Sequence, residues 1–373
     1  MHSSSRLGKS KGVLICLLVM ILQFSMTLLF GVLATVWGMR WGRVLVRQGA
    51  TANNLFTGKD WKSVAFLGLY LGLLVLALHL PQLQILPLEW RIYGMQITWT
   101  MMRVLLLGFC GVAFIVSWKT ARLQIVAVVL LGMIGLGGFT AAEAYFLAPI
   151  HASLNDNLQP NGIFRQTSNS SCAPAALANV LRRWELNATE SSVAKLAGTS
   201  RLGTSMPQLI VAAQGFGMDG IELSPTWEQM RRINRPGVLA TWLYSKTGKA
   251  PHAVSLLAMT EQTVTIADPA FGKFYKLNQS QFQRIWRNQY VPIFRPQEVT
   301  AAPDQAIDYL QQLGYLSPTT AVSEALLTAA ITRFQTVVGA KPTGKLDPET
   351  VLLLSGSFLQ DRPTLDQPDN VLD

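Results

Sequence analysis

The sequence predicts a multi-domain protein: a four-helix transmembrane region over residues 1–150, an α+β domain over 151–299, a small three-helix C-terminal module over 300–357, and a disordered tail at 358–373. Three observations carry that expectation. Half of the 373 residues are hydrophobic and only 14% are charged, a balance too apolar for an ordinary soluble chain. Charge is segregated: of 31 Lys and Arg and 21 Asp and Glu, 19 and 18 lie beyond residue 150, which leaves twelve basic and three acidic residues flanking the apolar runs before it. Finally, the texture changes near Asn161 from long apolar runs to short alternating helix and strand patterns. The net charge of +10 therefore reads as a membrane-topology signal, and nucleic acid is not an expected partner.

The first apolar run, Gly12 to Gly38, is long enough to cross a bilayer and longer than a signal peptide's core of about 7–15 residues. Val64 to Leu80, ended by Pro81, is the second expected span; Ile97 to Trp118, carrying Arg103, is the third; Ile125 to Leu147, with Gly132, Gly135, Gly137 and Gly138, is the fourth. Small residues let membrane helices approach closely. With four crossings, the loops holding Arg40, Arg43, Arg47, Lys59, Lys62, Lys119 and Arg122 are the more basic set and are expected in the cytoplasm, which puts the region after residue 148 outside it.

In the α+β region, helices are expected over Ala188–Ala197 and Ser205–Gln214, and strands over Gly237–Tyr244, Ala253–Met259 and Thr263–Ala267, with SKTGKAP and TEQ as the turns between the strands. The polar stretch around Pro303 introduces the last unit, with helices over Gln305–Leu313, Val322–Val338 and Pro348–Leu354. The Asp-, Pro- and Gln-rich tail has no apolar pattern.

Chemistry points to QTSNSSCAPAALANVL, Gln166 to Leu181. Cys16 and Cys110 sit in apolar runs, whereas Cys172 alone has polar surroundings. Beyond it Ala176, Leu177, Val180, Leu181 and Trp184 keep the three-and-four spacing of a helix that buries one face. The thiol is thus expected at a helix N-terminus, where backbone N–H groups favour a thiolate, with Asn169, Ser170 and Ser171 as cap side chains. No CxxC or Cys/His cluster suggests a metal, and no cofactor is expected.

A cysteine nucleophile needs a base and the base needs an orienting group. After His151, at the edge of the last apolar run, His252 is the only histidine, directly before an expected strand in PHAVSLLAM. Sixteen residues on, Asp268 ends the next strand in TIADPAFG. Two antiparallel strands joined by a short turn place the start of one beside the end of the other, so His252 and Asp268 become neighbours. Gln166 offers a carboxamide that can donate to an oxyanion alongside the Cys172 backbone N–H.

The pattern Q-x5-C-x-P-A-A, then H-A-V, then A-D-P-A-x-G with a following aromatic and Trp286, resembles the papain-like double-glycine peptidase domain of bacteriocin-processing transporters, over about Asn161 to Pro296. The resemblance implies an α+β papain-like cysteine peptidase domain with Cys172 as nucleophile, His252 as base, Asp268 as orienter and Gln166 as oxyanion donor. The family's Asp-Cys-Gly is Ser171, Cys172 and Ala173 here. The family's ATPase has no counterpart: the Gly-Lys-Ser at Gly8 lacks the upstream glycine of a phosphate loop, and no ATP site is expected. The last unit is similar to a three-helix peptidoglycan-binding module through Leu310, Leu313 to Leu316, Phe334, Gln335, Gly344 and Asp347 to Thr350.

Together these imply a membrane-anchored cysteine peptidase in a bacterial plasma membrane, multi-pass, its soluble domains on the extracytoplasmic side. It would process a secreted or envelope peptide or protein, with membrane lipid and peptidoglycan as further partners. The alternatives are a non-catalytic peptide-binding domain and an amidase acting on peptidoglycan stem peptides.

Overall fold

The computed structural model describes residues 4–51, 88–246, 248–300, 303–318 and 322–366, with scattered positions between 61 and 86. Two compact units result, Met1–Phe146 and Leu147–Asp373.

The first unit contains α1 (Ser4–Arg47), α2 (Leu88–Thr120) and α3 (Gln124–Phe146). Among the described residues three helical stretches are long and apolar enough to cross a membrane: Ser25–Arg47, Gln96–Thr120 and Gln124–Phe146. The expected span at 64–80 lies outside the described residues apart from isolated helical positions, and the other three expected spans have counterparts among the described residues. Helix α1 packs on α2, and α2 on α3. The first contact is made by glycines: Gly38 meets the Gly108 carbonyl, Gly42 the backbone of Val112, and Gly111 the Thr35 carbonyl, each too closely for a Cβ. Gly38 and Gly42, one turn apart, form the small-xxx-small pattern that lets backbones touch where lipid offers no hydrophobic drive. Of the α3 glycines singled out in the sequence, Gly132 and Gly135 face Cys110 and Leu106, whereas Gly137 and Gly138 face open space. Arg103, within an apolar helix, is paired with Glu143 of α3.

The second unit starts with a small ribbon of β1 (Asn157–Leu158) and β2 (Phe164–Arg165), then α4 (Cys172–Arg183), α5 (Glu190–Ala197), α6 (Met206–Gln214), β3 (Asp219–Gly220) and α7 (Trp227–Ile233). Strands β4 (Gly237–Ser245), β5 (Gly248–Met259), β6 (Thr263–Asp268) and β7 (Lys273–Asn278) follow, then α8 (Gln279–Ile285) and β8 (Trp286–Phe294). The main sheet is antiparallel throughout, in the order β3-β8-β4-β5-β6-β7. Helix α4 packs on β4 and β5 and is covered by α5 and α6. It is therefore buried on nearly every side, from Ala173 through Leu181, rather than on the single face its periodicity suggested. Four alanines there keep the helix thin enough to be enclosed. Ser255 of β5 fastens it to the sheet by donating to the Ala176 carbonyl (2.8 Å).

The C-terminal helices α9 (Pro303–Gln312), α10 (Glu324–Val337) and α11 (Pro348–Ser355) match the three expected. They do not form a separate body. Ala306, Leu310, Ile331, Phe334, Leu352 and Leu354 share one hydrophobic core with Met230, Ile233, Leu239, Leu256, Val264 and Phe282 of the α+β part. At the seam Arg235, 1% exposed, donates to Glu298 (3.0 Å), the Ile233 carbonyl (3.0 Å) and Ser355 Oγ (3.1 Å), and Glu298 also pairs with Arg362 (3.2 Å). Gly356 lies against the Arg232 carbonyl with no room for a Cβ. The tail expected to be free from residue 358 is held as far as Asp366: Leu365 is buried, its N–H donates to Asn234 Oδ1 (2.8 Å), and its carbonyl accepts from Met259 (2.7 Å).

Candidate active site

Cys172 is the first residue of α4. Pro174 has no N–H, and Ala175 N–H donates to the Ser171 carbonyl (3.0 Å). The first-turn N–H groups left unused by the helix itself are thus those of Cys172 and Ala173, beside the thiol. The expected side-chain cap is not formed. Ser171, at the cap position, instead donates its Oγ proton to the Ser168 carbonyl (2.8 Å) and accepts from the Ser168 N–H (3.0 Å), closing the preceding turn on itself.

That turn has a second anchor which the sequence did not reveal. Glu190, fully buried at the start of α5, accepts from the Thr167 N–H (2.8 Å) and Oγ1–H (2.9 Å). An acidic residue in a first helical turn is ordinary in sequence, so nothing marked Glu190 as reaching across to the cysteine loop. A third tie joins the loop to the sheet, since the Gln166 N–H donates to the Pro269 carbonyl (2.9 Å).

His252 stands inside β5 rather than before it, because β5 begins at Gly248 and takes up most of the expected turn SKTGKAP. Its Nε2 lies 2.8 Å from Asp268 Oδ1 at the end of β6, both side chains being buried. The neighbourhood inferred from the hairpin is thus present. The same Oδ1 accepts from the Ala270 N–H (2.8 Å), and the Gly272 N–H closes the turn on the Asp268 carbonyl (2.8 Å). Gly272 has φ +63° and Arg165 and Gln159 pressed against it, so the final glycine of ADPAFG is required there. With Nε2 given to Asp268, Nδ1 is the ring nitrogen left for Cys172, which is near enough to raise the His252 pKa. Burial pushes the imidazole pKa down, but the hydrogen bonds to Asp268 and Cys172 and the charges of both outweigh it, and His252 is pushed up to about 9.

The fourth expected residue, Gln166, is half-buried. Its Nε2 donates to the Ser168 carbonyl (2.9 Å), and its Oε1 is buried without a hydrogen-bond partner among the described residues. One Nε2 proton remains for another acceptor. Three of the four expected residues therefore stand together, Cys172 beside His252 and His252 hydrogen-bonded to Asp268, while Gln166 is tied to the loop that carries the cysteine.

Residues 161–298 match the peptidase C39 family, and residues 304–354 match a putative peptidoglycan binding domain. The chain belongs to the peptidase C39 family. An uncharacterized protein of Methanothermobacter thermautotrophicus is 34% identical over 143 residues, 38% of this chain and 95% of that protein. Among solved structures, the chain is similar to the peptidase domain of Streptococcus ComA, a bi-functional ABC transporter of a quorum-sensing pathway (18% identity, 35% of this chain and 96% of that one, TM-score 0.32). It is also similar to a double glycine motif protease from an AMS/PCAT transporter, solved in complex with the leader peptide (21% identity, 36% and 90%, TM-score 0.31). The C39 match covers the sheet, α4 and the Cys172–His252–Asp268 line.

Proposed function

We propose that this C39 domain is an active, membrane-anchored cysteine peptidase that cleaves peptide or protein substrates on the extracytoplasmic side. The observation that carries this reading is the placement of Cys172, at the start of a buried helix, beside a His252 that is hydrogen-bonded to Asp268. Cys172 is the nucleophile. With the shared proton on His252, its sulfur attacks the scissile carbonyl, and the oxyanion takes the Cys172 N–H and the free Nε2 proton of Gln166. The imidazolium then gives its proton to the leaving amine as the C–N bond breaks and a thioester remains. Water attacks the thioester, passes its proton through His252 to the sulfur, and releases the acid. Asp268 keeps the ring in the tautomer that presents Nδ1 to the sulfur.

The three apolar helices are consistent with an anchor, and the match of residues 304–354 supports a location at the cell wall, with peptidoglycan as a partner of the C-terminal helices. Because those helices share the peptidase core, wall contact would fix the orientation of the catalytic domain rather than tether it loosely. The test is a thiol-reactive peptide probe offered to the native protein. Cys172 is expected to be labelled, and His252→Ala to abolish most of the labelling. Equal labelling in both proteins, or peptide bound without any cleavage, would leave a binding domain in place of an enzyme. Reporter fusions after Leu147 that are active only in the cytoplasm would refute the sidedness.

A further inference from the structure

Strands β4 and β5 continue past the catalytic histidine. Thr241 is the register partner of His252, and the ladder runs on through Trp242–Pro251, Leu243–Ala250 and Tyr244–Lys249 to Ser245–Gly248. The overhanging hairpin is exposed from Tyr244 onward, and one aromatic residue organises its charges. Lys249 Nζ and Arg287 Cζ each stand 4.6 Å from the Trp242 ring centroid, and the Tyr244 hydroxyl donates to the Arg284 carbonyl (3.2 Å), joining the hairpin to the end of α8.

The segment from β4 to β8 is richer in basic than in acidic residues, and Glu222, outside it, accepts from Gln289 of β8 (3.0 Å). Between residues 236 and 294 the chain carries Lys246, Lys249, Lys273, Lys276, Arg284 and Arg287 against only Glu261 and Asp268. Both acids are engaged elsewhere, Asp268 by His252 and Glu261 by Arg231 at the far end of β5. Lys249 and Arg287 have no carboxylate partner among the described residues. Arg287 is half-buried, and that burial holds its guanidinium below its usual value. A ring that fixes two cations in place spares a ligand the cost of ordering two flexible side chains.

We propose that this ledge, Trp242, Lys249 and Arg287, docks an acidic, extended segment of the peptide substrate next to the bond being cleaved. Alternate side chains of an extended peptide lie roughly 7 Å apart on one side, a spacing with which two carboxylates reach two cations that share one ring. Lys249 lies three residues from His252, roughly 10 Å along β5, on the strand that carries the proposed catalytic base. A like-charged surface of this kind also excludes basic peptides, which adds selectivity to attraction. The assignment rests on the peptidase reading of the Cys172 site.

The full chain, reconstituted in phosphatidylcholine nanodiscs, is titrated against a fluorescein-labelled peptide of alternating Glu and Ser, followed by anisotropy, with the Lys/Ser peptide as control. The acidic peptide is expected to bind, to be released by salt, and to bind at least about tenfold more weakly to the K249E/R287E variant; the basic peptide is expected not to bind the native chain. Equal binding of the acidic peptide by both proteins overturns the proposal. So does displacement of the peptide by phosphatidylglycerol vesicles that themselves bind the native chain and not the variant, because the ledge then serves a lipid surface. Labelling of Cys172 by the thiol-reactive probe is measured on the same samples: unchanged labelling in K249E/R287E shows an intact catalytic site, and absent labelling in the native chain refutes the peptidase reading separately from the ledge.

Discussion

Replacing Asp268 with Asn removes the carboxylate that keeps the proton on His252. In the native unit burial alone would lower the imidazole pKa, and the bonds and charges of Asp268 and Cys172 reverse that, from 6.5 to about 9. At 1.36 kcal/mol per pKa unit the reversal amounts to about 3 kcal/mol of stability. The group's folded value is raised, so its contribution is complete below the unfolded value of 6.5 and is lost as pH rises through about 9. The native protein should therefore lose stability between pH 6.5 and 9. In Asp268→Asn the amide can still accept a hydrogen bond but brings no charge, burial regains its weight, and that decline should shrink or vanish together with much of the stability at pH 7. The assay is urea unfolding of residues 147–373, the compact second unit, at several pH values, combined with an NMR titration of the His252 ring proton. His151 is the only other histidine in that unit, so His151→Ala assigns the signals. A native His252 that titrates near 6.5, or an identical pH slope in both proteins, would refute the reasoning.

Three further outcomes follow from the packing. Glu190→Gln weakens two bonds to Thr167 that are charge-assisted, and should cost about 2 kcal/mol in urea unfolding and slow probe labelling of Cys172, because the cysteine loop loses its anchor. Ending the chain after Thr300 uncovers Met230, Ile233 and Leu256, so the remaining α+β part should unfold without a cooperative transition; a stable cooperative fragment would contradict the shared core. Gly38→Ile forces α1 away from the Gly108 carbonyl and should lower the thermal stability of the full chain in detergent, whereas Gly137→Ile, at a site facing open space, should leave it unchanged.

How much of this could be read from the sequence depends on how local each contact is. His252 and Asp268 were legible because a hairpin is local: strands whose apolar residues are continuous, a three-residue turn, and sixteen positions between the two side chains. The N-terminus of α4 was legible from Pro174 and the apolar spacing beyond it, but its cap was not. Asn169, Ser170 and Ser171 compete for one role, and the chain uses Ser171 to close a turn on Ser168 instead. Strand β8 escaped notice altogether. WRNQYVPIF shows no clean alternation, and its place between β3 and β4 rests on pairings about fifty residues apart with β4 and over seventy with β3. The first residues of β5, Gly248 to Pro251, read as part of a turn because an overhanging ribbon has no buried face to impose a period-two pattern.

The union of the C-terminal helices with the peptidase is the case where a signal was present and went unread. Helix α11 has only eight residues, yet Leu352, Leu353 and Leu354 are 0%, 1% and 1% exposed in succession. Consecutive helical positions point about 100° apart. Three neighbours buried together therefore span some 200° of the helix surface, far more than the stripe by which a short helix packs into a free-standing three-helix bundle. The remaining cover has to come from elsewhere, and α7 and the Pro296–Val299 turn supply it. Gly356, immediately beyond, admits the Arg232 carbonyl at a distance no other residue permits, and Asn234, left-handed at φ +52°, binds both the Gly356 carbonyl and the Leu365 N–H. Apolar residues on too many sides of a short helix are thus a sequence-level sign that a terminal module is built into its neighbour. On that ground the C-terminal helices of this C39 protein are part of what holds the sheet, and through the sheet His252 and Asp268, in place.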